Sequence, residues 1–288
     1  MTRTEFELRF FGFLKWVSVV FFVVITAFPL LYMVSLSFKP IEEVLRNPGN
    51  PLPGFDDVLG LETYRAVLRP VSEGGQGFMT FIRNSAIVSF STVAITTSLA
   101  IFGAYAAARL NFKGKSVVQG GILMVYLFPA IVVAIPLFVI FSRLSLRSSL
   151  IGLIIVYLAQ TIPVAMYMLR SQFEAIPDAL EEAGLIDGLT RFGVITKITI
   201  PLAAPAIAAV ALYVFMIAWN EYLFALLFVA DSRELWTLSL GVDQLDTTEV
   251  PKTMLMAGAV VITVPVIALF FIAERFLTEG LAAGGVKG

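Results

Sequence analysis

Residues Asn84–Ala108, NSAIVSFSTVAITTSLAIFGAYAAA, carry no charged side chain. About 20 apolar residues take an α-helix across the hydrocarbon core of a bilayer, so this run is long enough to cross it. A membrane strand would alternate apolar and polar residues, and this run does not. Helices are required because a backbone group left unpaired in lipid is costly. Five further charge-free runs read the same way: Trp16–Phe38, Ser116–Ser142, Ser148–Leu169, Ile198–Asn220 and Thr253–Ala273. The fifth continues past Glu221 to Ala230.

Composition agrees. The chain has 288 residues, of which 58% are hydrophobic and 14% charged, with a mean hydropathy of +0.90. A soluble domain is closer to about half apolar and a quarter charged, so the excess faces lipid. The net charge of −1 points to no nucleic-acid partner. There is no His and no Cys, which removes disulfides, thiol nucleophiles and imidazole acid–base chemistry. Arg3 and Arg9 precede the first apolar run, which is too long for a signal-peptide core and reads as a retained helix.

The expected fold is an all-α integral membrane protein: one domain over 1–288, with six transmembrane helices. The spans are about 16–38, 84–108, 116–142, 148–169, 198–230 and 253–273, with a loop at 170–201 between the fourth and fifth. Arg109, Lys113 and Lys115 in the short loop after span two, with Arg3, Arg9 and Lys15, place both termini in the cytoplasm. Arg143 and Arg147 in the next connection argue the other way. Short interfacial helices fit Leu61–Leu68 and Gly77–Phe81. Pro29, Pro129, Pro136, Pro163 and Pro265 fall inside spans, as bends in a moving pathway or as ordinary membrane-helix composition.

The loop at 170–201 reads as helix, turn, helix. Pro177 suits a first helical turn, and Asp178, Glu181 and Glu182 follow where the helix dipole favours acids. Gly188 is placed to end that helix at positive φ. A second short helix fits Thr190–Lys197, with Pro201 opening span five. Ala183 and Gly184 leave one patch almost without side chains, beside the charge of Glu182. A docking site for a basic partner and an amphipathic hairpin on the headgroups both remain open on these grounds.

Glu182-Ala183-Gly184, then Gly188, then Ile198-Thr199-Ile200-Pro201 resembles the EAA signature of ABC-importer permeases. Gly184 stands where that signature usually has Ala, and Ile200 where it has Leu. Ser37-Phe38-Lys39, Tyr64-Arg65, Asn84-Ser85, Ala218-Trp219-Asn220-Glu221-Tyr222 and the ending Gly280-Leu281 to Gly285-Val286-Lys287-Gly288 are similar to the maltose-type (MalG-like) sugar permeases. The resemblance implies a type I ABC importer permease fold in the bacterial plasma (inner) membrane. It implies that the loop is a coupling helix docked on a separate ATPase, with Glu182, Ala183, Gly184, Asp187, Gly188, Ile198 and Pro201 as the coupling residues. It implies a companion permease subunit in a heterodimer, two ATPase subunits and an extracytoplasmic sugar-binding protein. That protein would contact Asp231–Lys252, and Gly284–Gly288 would reach the ATPase interface. ATP and Mg would be bound by the partner ATPase, with no cofactor on this chain.

Glu221 is the one charge inside an expected span, and such a charge marks a functional site by default. With Trp219, Asn220 and Tyr222 beside it, and Gln160 and Tyr157 in span four, it forms a candidate solute pathway of hydroxyl partners and flat apolar faces. Interhelical bonding and a reach to the outer water layer are the alternatives for Glu221, as packing is for Gln160 and Tyr157. No expected span holds a basic residue, which favours a neutral solute such as maltose or trehalose over a phosphate ester. Gly114-Lys115-Ser116 looks like the end of a phosphate-binding loop, but the first glycine of that motif would fall at Arg109. An ion-coupled secondary transporter is the rival class. It fits poorly with one buried carboxylate and no internal repeat.

Overall fold

The computed structural model describes residues 3–50, 52–117, 120, 121, 124 and 128–284. It is helical, with no strand among the described residues. Among the described residues, four helices are long and apolar enough to cross a membrane: Arg9–Ser37, Phe78–Arg109, Leu150–Ala175 and Lys252–Arg275. These are the expected spans one, two, four and six. Span four is opened by Ser149, whose side chain accepts from the Gly152 N–H, as an N-cap should.

Spans three and five depart from their expected continuity. Residues 118, 119, 122, 123 and 125–127 of expected span three lie outside the described residues. From Pro129 on, that span is a 14-residue helix, Ala130–Arg143. Span five is in pieces. A π-helical turn at Ile195–Thr199 leads into the short helix Ile200–Leu202. The segment Arg191–Leu202 then bends by 80° into Ala204–Asn220. Pro201 therefore does not open the membrane helix as expected. Pro205 does, in the first turn of Ala204–Asn220, where its missing N–H is harmless. The helix stops at Asn220, Glu221 is extended (φ −65, ψ 127), and Leu223–Val229 resumes beyond it. The expected interfacial helix Gly77–Phe81 is instead the first turn of Phe78–Arg109. The other forms at Glu62–Leu68.

Two compact units divide the chain: Met1–Gly77 with Gln244–Val261, and Phe78–Asp243 with Ile262–Gly288. In the first, the residues that carried the family resemblance meet one another. The Ser37 and Tyr64 hydroxyls are 2.7 Å apart, and the Phe38 and Tyr64 rings are 5.1 Å apart. Lys39 is wholly buried. A buried ammonium is costly unless paired, and this one donates to the Asn50 carbonyl at 2.7 Å and lies 3.5 Å from Glu43.

The second unit is built on span two packed against span four. Small residues allow this closeness: Ala100 and Ala104 of span two share a buried cluster with Ala165 of span four. Thr96 and Thr161 bond hydroxyl to hydroxyl across the helices at 2.7 Å, and Thr161 also donates to the Tyr157 carbonyl of its own helix. Near the N-terminal end of span two, Asn84 Nδ2 donates to the carbonyls of Glu234 and Trp236, at 2.8 and 3.0 Å. Ser85 Oγ accepts from the Leu238 N–H at 2.7 Å. The segment after span five is thereby tied down.

Gly241 continues that contact. A Cβ there would lie 2.4 Å from Cδ2 of the buried Phe81 ring. Gly241→Val is expected to destabilise the protein by about 1–3 kcal/mol, the usual result of overpacking a well-packed site. Its thermal unfolding midpoint in detergent, followed by tryptophan fluorescence, should fall.

Candidate functional site

The loop between spans four and five folds as the expected helical hairpin. Its first helix is Asp178–Ile186, with Asp178 and Glu181 in the first turn. Gly188 lies at φ +87. The Leu189 N–H returns to the Gly184 carbonyl at 3.0 Å and the Gly188 N–H to Leu185 at 3.1 Å, the bonds of a left-handed helix stop. A Cβ on Gly188 would meet nothing within 4 Å, so the backbone, and not space, calls for glycine. Thr190 caps the second helix, Arg191–Val194, by accepting from the Gly193 N–H.

One detail of the expected docking patch is corrected. Gly184 is buried, and a Cβ there would lie 2.5 Å from Ile198 Cδ1. The close approach at this glycine is made by the loop's own second half, not by another protein. Glu182, Ala183, Asp187 and Gly188 are exposed. So is Ile186, 86% exposed at the tip, which the sequence reading did not single out. Of the remaining expected coupling residues, Ile198 is half-buried against Gly184 and Pro201 sits in the first turn of Ile200–Leu202. Ile198 thus supports the hairpin from beneath, while Pro201 is exposed.

The sequence reading also missed a buried anchor. Glu181 is 4% exposed. Its carboxylate accepts from Tyr105 Oη at 2.9 Å, Arg109 Nε at 3.1 Å and Thr199 Oγ1 at 3.2 Å. Arg109 also pairs with Asp178 and donates to the Ile176 carbonyl. Asp178 and Glu181 are three residues apart, hence on one helical face, but no local pattern ties them to Arg109.

The expected pathway residues fall into two groups. Tyr157 and Trp219, 0% and 2% exposed, present no face to a solute in this conformation. The Trp219 Nε1–H donates to the Ile262 carbonyl at 2.9 Å, and its ring stacks on Phe215. Tyr157 Oη donates to Glu221 Oε2 at 2.7 Å. Glu221 also accepts the backbone N–H groups of Phe224 and Ala225, at 2.9 and 3.2 Å. Its carboxylate thus supplies partners for the helix start that the break leaves orphaned. Tyr222 donates to Asp243 at 2.9 Å.

Asn220 and Gln160 differ from these. Asn220 is exposed and bonds only back to the Met216 carbonyl of its own helix among the contacts described. Gln160 lines a cavity of about 560 Å³ whose other walls, including Val133, Leu137, Pro163 and Phe224, are apolar. Its Nε2 is buried with no hydrogen-bond partner among the described residues. Phe224 is both a wall of this cavity and a residue whose N–H Glu221 holds.

Known proteins place this arrangement. The family model described as binding-protein-dependent transport system inner membrane component matches residues 99–282. The inner membrane ABC transporter permease protein YcjP of Escherichia coli (strain K12) is 38% identical over 268 residues, 93% of each chain. The trehalose/maltose transport system permease protein MalG of Thermococcus litoralis is 32% identical over 274 residues, 94% of this chain and 95% of that one. A chain in the crystal structure of a bacterial ABC transporter involved in the import of the acidic polysaccharide alginate shares the fold. Its TM-score is 0.78 at 24% identity, covering 96% of this chain and 98% of that one. The hairpin after span four, the helical spans and the match over most of the chain agree: this protein belongs to the binding-protein-dependent inner membrane components, the permeases of ABC importers.

Proposed function

We propose that this chain is the membrane-spanning permease subunit of an ATP-driven, binding-protein-dependent importer that carries a di- or oligosaccharide into the cytoplasm. The observation that carries the reading is the hairpin at Ile176–Pro201, a helix–turn–helix with Ile186 bare at its tip. An exposed isoleucine flanked by Glu182, Ala183 and Asp187 has the form of an apolar anchor with a charged rim. The partner is an ATPase subunit, which binds ATP and Mg; two such subunits serve this chain and a companion permease. The relatives' names support a sugar, since they include transport systems for trehalose/maltose and arabinooligosaccharides.

In this scheme the binding protein delivers the sugar outside, near Asp231–Lys252. ATP closes the ATPase dimer and draws the coupling hairpins together, which turns the cavity outward. Hydrolysis resets it. Work is done only because closure favours one membrane conformation over the other. On the solute side, Gln160 and Asn220 are the polar groups free to meet a hydroxyl, and the apolar cavity wall faces the flat side of a sugar ring. Glu221, Tyr157, Trp219 and Tyr222 hold that wall in shape. By the family resemblance the C-terminal tail reaches the ATPase interface; residues 285–288 of it lie outside the described residues.

Proteoliposomes containing the full complex decide between this reading and an ion-driven carrier. Uptake of a panel of labelled sugars, maltose and trehalose included, should require ATP inside and binding protein outside. Uptake on an ion gradient alone would reject the proposal. Ile186→Asp should cut co-purification of the ATPase roughly thirtyfold, as loss of a hot spot of about 2 kcal/mol does.

Gly188→Val should cost about 1–2 kcal/mol of backbone strain at the loop and leave ATP hydrolysis uncoupled from uptake. Gly188→Asn, which tolerates positive φ, should be milder. Equal uptake by Gly188→Val and the parent would count heavily against the docking role.

Because the chain has no Cys, orientation is open to single-cysteine labelling. Lys113→Cys should resist an impermeant maleimide in intact cells and react after permeabilisation. Labelling from outside would invert the topology.

A further inference from the structure

The hairpin has three mechanical routes into the membrane, and they differ in stiffness. Towards span four it is joined through Ile176 and Pro177, both in extended backbone (ψ 128 and 130). Towards span five it runs through the π-helical turn Ile195–Thr199 and the 80° bend before Ala204. Turns of this kind recur at functional hinges, and a bend interrupts the helical hydrogen-bond ladder. The third route is not covalent. The Arg109 guanidinium at the inner end of span two reaches Glu181, Asp178 and the Ile176 carbonyl. Tyr105, one turn back, donates to the same Glu181.

We infer that Arg109 and Glu181 are positioning residues that fasten the coupling helix to span two as one rigid body. A displacement of the hairpin is then delivered to span two, and to span four packed upon it, while the π-turn and bend let span five follow at a different angle. The charges suit this task. A buried ion pair contributes little net stability over an apolar pair, but is strongly resisted when one partner is lost. Its directional bonds fix geometry: Glu181 accepts three donors from two other elements at once. Arg109 has an N–H for each of its acceptors, as a planar guanidinium allows. The inference rests on reading the chain as an ABC permease, but the fastening itself can be measured without turnover.

The test uses spin labels at Ala179→Cys and Leu110→Cys, exposed positions on the coupling helix and just beyond span two. Both are placed in the otherwise cysteine-free chain within the full complex. Interspin distances are recorded without nucleotide and after ATP with vanadate. In the parent the distribution should be narrow and the same in both states, the sign of a single body. Glu181→Gln keeps shape but loses charge, and should shift or broaden it by about 2 Å or more, on the scale of known interface helix shifts. Glu181→Asp should restore part of the narrow distribution. Since Glu181→Gln leaves Arg109 without its buried partner, the double variant Arg109→Met/Glu181→Met supplies a second arm with no orphaned charge, and it should show the same change. A distribution as narrow as the parent's in either variant would overturn the inference. A parent complex that traps no nucleotide with vanadate would instead overturn the ABC reading, with the clamp still judged by the nucleotide-free distances.

Discussion

Span two, Phe78–Arg109, is the member on which the second unit hangs, through bonds made at its two ends and its middle. In the middle, small residues and the Thr96–Thr161 hydroxyl pair bring it against span four. Near the N-terminal end, Asn84 and Ser85 hold the backbone of Glu234–Leu238. At the C-terminal end, Tyr105 and Arg109 hold the helix Asp178–Ile186 through Glu181. In lipid there is no hydrophobic gain from bringing two apolar helices together. Close packing of small residues, and polar bonds that replace lost water, have to supply the specificity. One helix therefore carries small residues and hydroxyls along its middle, and its amide, phenol and guanidinium groups towards the ends.

Two carboxylates, the buried Glu181 and the half-buried Glu221, do related work at opposite places. Glu221 stands where span five breaks and accepts the N–H groups that the break sets free. Glu181 stands beneath the hairpin and accepts from span two and the π-turn. A carboxylate away from water is costly unless it is hydrogen-bonded, and each finds three donor groups. In both cases an acid permits irregular backbone beside a membrane helix. Irregular backbone at such depth is tolerated only where protein or a cavity can satisfy it. The broken fifth span thus has an 80° bend at one end and a shaped cavity wall, through Phe224, at the other.

The helical spans one, two, four and six, the helix–turn–helix between spans four and five, and Gly188 at positive φ were all legible in one dimension. Each depends on local physics: run length against bilayer thickness, end signals of helices, and the φ that glycine alone adopts freely. The family signature was legible for the same reason, as a fixed spacing along one loop. What misled the reading was the assumption that a charge-free run is a straight helix. Pro201 and Glu221 lie in or beside such a run, and both mark departures from it. Gly184 misled in another way: a bare backbone invites a close neighbour, but nothing local says whether that neighbour is a partner or the chain itself.

The sequence by itself determined that this is a helical membrane protein with a helix–turn–helix between spans four and five, because hydropathy and helix-stop chemistry act over neighbouring residues. Only the tertiary structure decided which polar side chains are structural and which remain available. Glu181 and Glu182 are adjacent in sequence, and a helix turns them about 100° apart. One is buried in a clamp with a residue far away in the chain, and the other faces outward from the hairpin. That difference comes from the partners that packing brings near, and partners distant in the chain leave no periodic trace in it.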